Sequence, residues 1–338
     1  MRSLQELENK LTTPNKALIE DLRHLNGDII ILGAGGKMGP SLSILAKRAV
    51  LEAGINVRII AVSRFSDERV REKMENTGVE TISGDLLDES FLQSLPAVEN
   101  VIFMAGQKFG TSGNEGSTWA MNTYLPGRVG HYFYQSRIVV FSTGNIYPLV
   151  PVDSCGATEQ TTPGPVGEYA QSCLGRERIF QYFSSVNHTP TVIFRLNYAL
   201  DLRYGVLNDI ARMVWNNQSI DLSMGYVNVI WQGDANSFAL RSLLHCSSLP
   251  TILNVTGPEV ISVEWLAKEF GRMMDRTPRF TGTPAPTALL SNAEEALRRF
   301  GQPVVSLQDL MTWTVQWIES GGADLQKPTH FSERKGQF

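Results

Sequence analysis

Little in this sequence would carry the chain out of a reducing, aqueous compartment or onto a nucleic acid. It has only three cysteines, Cys155, Cys173 and Cys246. None stands in a CxxC pair and an odd number suits no closed disulfide framework, so reduced thiols in a cytoplasm are expected. No apolar run approaches the roughly 20 residues that span a bilayer. The opening MRSLQELENKL is polar and lacks the apolar stretch of an export signal. No membrane partner is therefore expected. The five histidines (His24, His131, His188, His245 and His330) show no HExxH-type spacing, so no metal is expected. Basic charge is also scarce: the formal net charge is −4. The one dense basic stretch, Arg69, Arg71 and Lys73, is interleaved with acids and reads as a solvated helix face, which excludes the basic field a nucleic-acid binder needs.

What is present is a long globular chain of 338 residues, 42% hydrophobic and 19% charged. That length suffices for one or two domains. Residues 13–26 read as a helix, with Thr13 as its cap, Pro14 in its first turn and Gly27 at its end. Asp28 to Gly33 is a short apolar run closed by glycine, the pattern of a buried parallel strand. Further strands are expected at 57–62, 79–82, 100–104 and 137–141, with helices at 39–53, 67–76, 89–94 and 117–135 between them. This alternation implies an α/β fold with a Rossmann-type doubly wound parallel sheet. The second half is less regular. It shows a helix over 169–184, strands at 191–196, 227–230 and 251–255, and helices at 207–215, 234–244, 263–273, 293–300 and 307–320. We expect a nucleotide-binding domain over 1–196, with a helical extension at 1–27, and a smaller C-terminal substrate-binding lobe over 197–338. The strands near 227–230 and 251–255 are expected to return to the first domain. The polar tail from Gly321 is expected to wrap the surface or fray.

The strongest motif is LGAGGKMG over 32–39. Gly33, Gly36 and Gly39 fit GxxGxxG directly after a strand and at the opening of a helix. The first glycine permits a tight turn, the second lets the backbone approach a pyrophosphate, and the third lets the helix pack on the strand. The helix N-terminal N–H groups would face the phosphates, with Lys37 and Met38 in the same cofactor-binding set. NAD binders place Asp or Glu at the end of the second strand; here Ser63 and Arg64 stand there, a pair able to hold a 2′-phosphate. NADP(H) is therefore expected to be preferred, with NAD(H) possible. Asp85, with Leu86 beside it, is placed to meet the adenine or to cap a helix.

With these pieces in order, residues 27–320 resemble the extended short-chain dehydrogenase/reductase family, which includes nucleotide-sugar epimerases and dehydratases. The resemblance rests on the glycine turn, Gly84-Asp85-Leu86, Phe103 to Lys108, Phe141 to Pro148, Tyr169 to Ser172, and Asn254 to Pro258. Ala105-Gly106-Gln107-Lys108 is similar to the segment in UDP-galactose 4-epimerases, which adds Ala105 and Gly106 to the cofactor site. The resemblance implies that Thr143 hydrogen-bonds the substrate oxygen and that Tyr169 is the general acid/base. It also implies that Asn122 holds backbone or a water near the tyrosine, and that the chain pairs into a homodimer through the helices near 117–135 and 169–184.

Two departures stand out. The family's lysine, four residues after the tyrosine, is Cys173 here. That lysine lowers the tyrosine pKa and holds the nicotinamide ribose. If it accounts for about three pKa units, its loss costs on the order of 4 kcal/mol, or a thousandfold in rate. Two other sources of charge are open: the oxidised nicotinamide ring, itself cationic, and Lys108 on the loop after the fourth strand. The arginine that grips a nucleotide diphosphate in many relatives is also missing from Gly225 to Trp231, so Arg195 and Asn197 are the candidate substrate contacts, with Tyr198, Tyr204, Tyr226 and Trp231 as candidate pocket walls. The expectation is an NAD(P)-dependent oxidoreductase or epimerase acting on a secondary alcohol of a small sugar or sugar-acid molecule. The alternative is a catalytically weak or inactive NADP(H)-binding sensor or scaffold.

Overall fold

The computed structural model describes residues 1–108, 110, 113–327 and 329–337. Seven strands form its centre: β1 (Ile29–Leu32), β2 (Ile59–Ser63), β3 (Glu80–Ser83), β4 (Asn100–Phe103), β5 (Arg137–Thr143), β6 (Thr191–Leu196) and β7 (Thr251–Val255). They lie in the order β3-β2-β1-β4-β5-β6-β7, and every neighbouring pair is parallel. Parallel strands are covered on both faces, which is why β1 is four consecutive apolar residues rather than an alternation. Ile29 and Ile31 enter one core layer, and Ile30 and Leu32 enter the other. The winding reverses between β1 and β4, and that switch point opens a crevice beyond the carboxyl ends of the strands.

The helices are α1 (Leu4–Thr12), α2 (Lys16–Arg23), α3 (Gly39–Ala53), α4 (Glu68–Glu75), α5 (Glu89–Ser94), α6 (Glu115–Trp119), α7 (Leu125–Tyr132), α8 (Gly167–Asn187), α9 (Val206–Trp215), α10 (Gln232–Arg241), α11 (Val263–Met274), α12 (Glu294–Phe300) and α13 (Leu307–Glu319). Most of α9, α11 and α13 face a separate core built with Trp231, and Leu7 and Leu11 of α1 are buried in it. Leu18 and Leu22 of α2 are buried instead in the sheet's core. The first 25 residues thus join the two cores, and Glu8 of α1 also pairs with Lys73 of α4.

The structure corrects several expectations. The single helix over 13–26 is two helices. Pro14 holds Thr13 extended (φ −86°, ψ 117°), so Thr13 ends α1. Asn15, not Thr13, caps α2 by accepting from the Leu18 N–H. The helix α1, within the helical extension expected at 1–27, opens on a capping box formed by Ser3 and Glu6. The strand at 227–230 does not return to the sheet: residues 226–227 pair with 261–262, and 230–231 pair with 199–200. Between them the Asn228 side chain turns inward to Asn197 and the Ser291 carbonyl. The strand at 251–255 does join the sheet, beside β6. The helix over 117–135 is α6 and α7 joined by a π-helical turn, Ala120–Tyr124.

The tail is a strap rather than a frayed end. Leu325 donates its N–H to the Arg203 carbonyl, and the Thr329 N–H and hydroxyl both donate to Asp209. Phe331 is buried in the second core, and Arg334 donates to the Thr287 carbonyl and hydroxyl. Gly336 lies against the backbone of Gly167, where α8 begins.

Candidate functional site

Gly33 follows β1 at φ +92°, and a Cβ there would stand 2.5 Å from the Ala105 nitrogen. Only glycine meets both demands. Gly35, outside the GxxGxxG pattern, lies against Ser63: a Cβ there would fall 2.4 Å from Ser63 Oγ, which would have to turn away. The turn therefore presents bare backbone to a cleft of about 260 Å³ lined by Gly33, Gly36, Ser63, Arg64, Asp85, Leu86, Ala105 and Gly106. Arg64 is exposed at its edge and forms no ion pair among the described residues. Asp67 lines the same cleft but is held by the Arg69 guanidinium at 3.0 Å. Asp85 accepts from the Leu87 N–H at 2.9 Å, which shapes the loop after β3. Gly39 packs beneath the turn against Ala34.

A second cleft, of about 150 Å³, lies beyond the turn and gathers Lys37, Met38, Lys108, Thr143, Tyr169, Asn197, Tyr198, Tyr204 and Thr329. Thr143, Tyr169 and Lys108 thus come together from β5, the first turn of α8 and the loop after β4. The Lys108 ammonium stands 5.7 Å from the centre of the Tyr169 ring. Thr143 Oγ1 accepts from the Asn145 N–H, and the Thr143 side chain is hydrogen-bonded to Tyr169. Burial, and then the field of Cys173, push the Tyr169 phenol well above its ordinary pKa, against the opposing charge of Arg176 and the Thr143 bond. Burial lowers Lys108 to about 8.

Other expected residues lie elsewhere. Cys173 lines neither cleft: it is fully buried beside Ile146, Tyr147 and Leu290, and it bonds Tyr169. It cannot stand in for a lysine that reaches a ribose. Arg195 does not face the cleft either. Its guanidinium makes a buried ion pair with Glu177 at 2.7 Å and donates to the Tyr147 hydroxyl at 2.5 Å, because a charge inside the fold needs such partners. Asn197 lines the cleft while donating to Asn228. Asn122, in the π turn, is fully engaged by protein. Its oxygen accepts from the Gln107 N–H (2.9 Å) and Arg176 (2.7 Å), and its nitrogen donates to the Gln107 carbonyl and Ser172. Of the candidate aromatic walls, Tyr198 and Tyr204 line the cleft, whereas Trp231 is buried against Trp313.

Sequence reasoning missed Arg176. It is buried under Gly106, whose Cβ would meet its Nη2 at 2.5 Å, and it donates to the Phe141 carbonyl at 2.7 Å. Its signal was the spacing from Tyr169: seven residues on, two helical turns along the same face. Thr329 carried no signal, since only the path of the tail brings it to the cleft.

A family model described as the NAD dependent epimerase/dehydratase family matches residues 29–199, about half of the chain. No curated protein matches the sequence. Among solved structures, the chain is similar to Pal from Bacillus thuringiensis (TM-score 0.72, 17% identity, covering 87% of this chain and 99% of that one). It is also similar to a Thermus thermophilus UDP-glucose 4-epimerase in complex with NAD (TM-score 0.69, 17% identity, 86% and 99%). A third similar structure is a Bacillus cereus UDP-glucuronic acid 4-epimerase in complex with UDP-glucuronic acid and NAD (TM-score 0.69, 14% identity, 86% and 99%).

Proposed function

Because this chain belongs to the NAD dependent epimerase/dehydratase family, we propose that it exchanges a hydride between a nicotinamide dinucleotide and a secondary alcohol of a sugar or sugar-acid substrate. The observation that carries this reading is the meeting of Thr143 and Tyr169 in one cleft, next to a second cleft walled by the glycine turn. The residues present fit a dinucleotide. The bare backbone at Gly35 and Gly36 admits a pyrophosphate, and Leu86 offers an apolar wall to an adenine. The nicotinamide, when bound, supplies or accepts the hydride.

The chain's own residues do the rest. Thr143 orients the substrate oxygen by its hydroxyl. Tyr169 gives a proton to that oxygen as a carbonyl is reduced, or takes it as an alcohol is oxidised. Its raised pKa keeps it in the neutral, donating form at neutral pH. Arg176, behind Gly106, and Lys108, beside the tyrosine ring, supply the positive charge that the family places on a lysine. Residues 1–196 form the nucleotide-binding half and 197–338 the substrate lobe, with β7 returned to the first. Ser63 and Arg64, with no acid at the end of β2, favour NADP(H) over NAD(H). Homodimerisation through the helices near 117–135 and 169–184 is supported by Trp119 of α6, Tyr124 of the π turn, and Tyr182 and Val186 of α8, large apolar side chains exposed along them.

A second reading, a dinucleotide-binding sensor or scaffold with little turnover, is favoured by one observation: burial, and then Cys173, raise the Tyr169 pKa where a lysine would lower it. Fluorescence titration of NADPH and NADH, followed by incubation with pooled sugars and sugar acids, separates the two. Under the enzyme reading, wild type binds NADPH at micromolar level, Arg64→Ala loses about tenfold of that affinity, and the pool oxidises or reduces the bound cofactor. Binding without any redox change favours the sensor, and no binding of either cofactor defeats both.

A further inference from the structure

Lys37 stands where the glycine turn meets α3. Its backbone belongs to the turn, but its side chain leaves the first cleft and enters the second. There the ammonium lies 3.1 Å from the centre of the Tyr204 ring. It is exposed at the mouth of the cleft. One other ammonium group lines the same cleft, Lys108 beside Tyr169, while Lys327 of the strap lines a neighbouring cleft that Lys37 also borders, and its field reaches Lys37. Two carboxylates face Lys37, and both are committed elsewhere. Asp201 is held by Arg203 at 2.7 Å, and Asp209 accepts the two bonds from Thr329. Lys37 makes no ion pair among the described residues, and its charge is cushioned mainly by an aromatic face. Burial first, and then repulsion from Lys108 and Lys327 against the pull of the two carboxylates, leave its pKa at about 7.

Gathering ammonium groups around one cleft is costly unless negative charge enters with the ligand. The positions decide which ligand. Lys108 is beside the proton-transferring tyrosine, so the charge that enters lies at the reacting end of the substrate rather than at a remote diphosphate. We infer that this cleft selects a substrate carrying a carboxylate or phosphate within a few bonds of its reacting carbinol, bound by Lys37 together with Lys108. The inference rests on the hydride-transfer reading above and narrows its substrate to sugar acids or sugar phosphates. Anionic oxygens could also come from the dinucleotide itself, so the experiment must separate the two sources.

The test is calorimetric titration of the full chain with glucuronate, glucose 6-phosphate and neutral glucose, each with and without saturating NADP⁺. Wild type, Lys37→Gln and Lys37→Arg are compared, and each protein is first titrated with NADP⁺ alone. At least one anionic probe is expected to bind wild type about tenfold or more tighter than glucose, the range of one charge-assisted hydrogen bond. Lys37→Gln should abolish that preference and Lys37→Arg should keep it, with NADP⁺ affinity within about twofold in both. Equal binding of glucose, or no binding of any probe, overturns the inference. So does a loss confined to NADP⁺ affinity in Lys37→Gln, which would assign the lysine to the cofactor's phosphates. A wild type that prefers the anions yet binds no dinucleotide would leave the anion site standing and bring down the hydride-transfer reading instead.

Discussion

Tyr169 illustrates how one residue's surroundings set the direction of a reaction. A buried phenol beside a sulfur holds its proton; the same phenol beside an ammonium releases it. With burial and Cys173 raising its pKa, the ionised form needed to accept a proton from an alcohol is rare at neutral pH. The sign follows directly: oxidation by wild type should climb about tenfold per pH unit through neutrality without levelling. Cys173→Lys should bring a plateau into the range nearer neutral. A flat wild-type profile, followed by pH-dependent steady-state kinetics, would remove Tyr169 from the role of base. At this scale the sequence was partly legible. Thr143 and Tyr169 stood at motif positions because chemistry fixes their spacing. The direction of the Lys37 side chain and the commitment of Arg195 to Glu177 were not legible, since both depend on neighbours distant in sequence.

Among the elements, the connection from α6 to α7 carries the most for its size. A π-helical turn inserts one residue into a helix, and such turns often mark sites where a side chain must be aimed. Here it brings Asn122 under the loop after β4, where one amide fixes Gln107, Ser172 and Arg176 at once. Asn122→Ala would orphan buried donors, including one on a guanidinium, and should lower stability by about 3 kcal/mol. Urea unfolding would measure this, and a loss below about 0.5 kcal/mol would show that water replaces the amide freely. No sequence period announces a π turn, because it is a local departure from the 3.6-residue repeat by which helices are recognised. The strands were easier to find, since burial on both faces leaves uninterrupted apolar runs. The pieces at 226–227 and 230–231 were misread as one strand because buried Asn228 interrupts an otherwise apolar run.

On the scale of the whole molecule, the first half announced itself through its alternating strands and helices, whereas the second half did not. Its core is assembled from α1, α9, α11, α13 and Phe331, segments scattered from one end of the chain to the other. Because α1 sits in one core and α2 in the other, the halves should unfold together. Calorimetry of the full chain is expected to show one transition, and Leu11→Ala in α1 should lower it without splitting it. Two resolved transitions in wild type would mean that the N-terminal helices do not couple the cores. The exposed aromatic side chains of α6, the π turn and α8 lead to an expected solution mass of twice the 37.5 kDa chain. Replacing Tyr182 with Asp should shift light scattering toward the single-chain mass. An unaltered dimer would place the contact on another face.

The strap over residues 325–327 and 329–337 also makes the molecule its own clock. Arg334 is tied to Thr287 by its guanidinium, so cleavage there by trypsin is expected to need the strap to lift, and Thr329, a wall of the second cleft, lies on the same strap. The rate of that cut therefore counts how often the wall swings aside. A molecule held in the cleft should slow the count in proportion to its occupancy, so digestion followed by mass spectrometry can register a ligand before any reaction has been found for it.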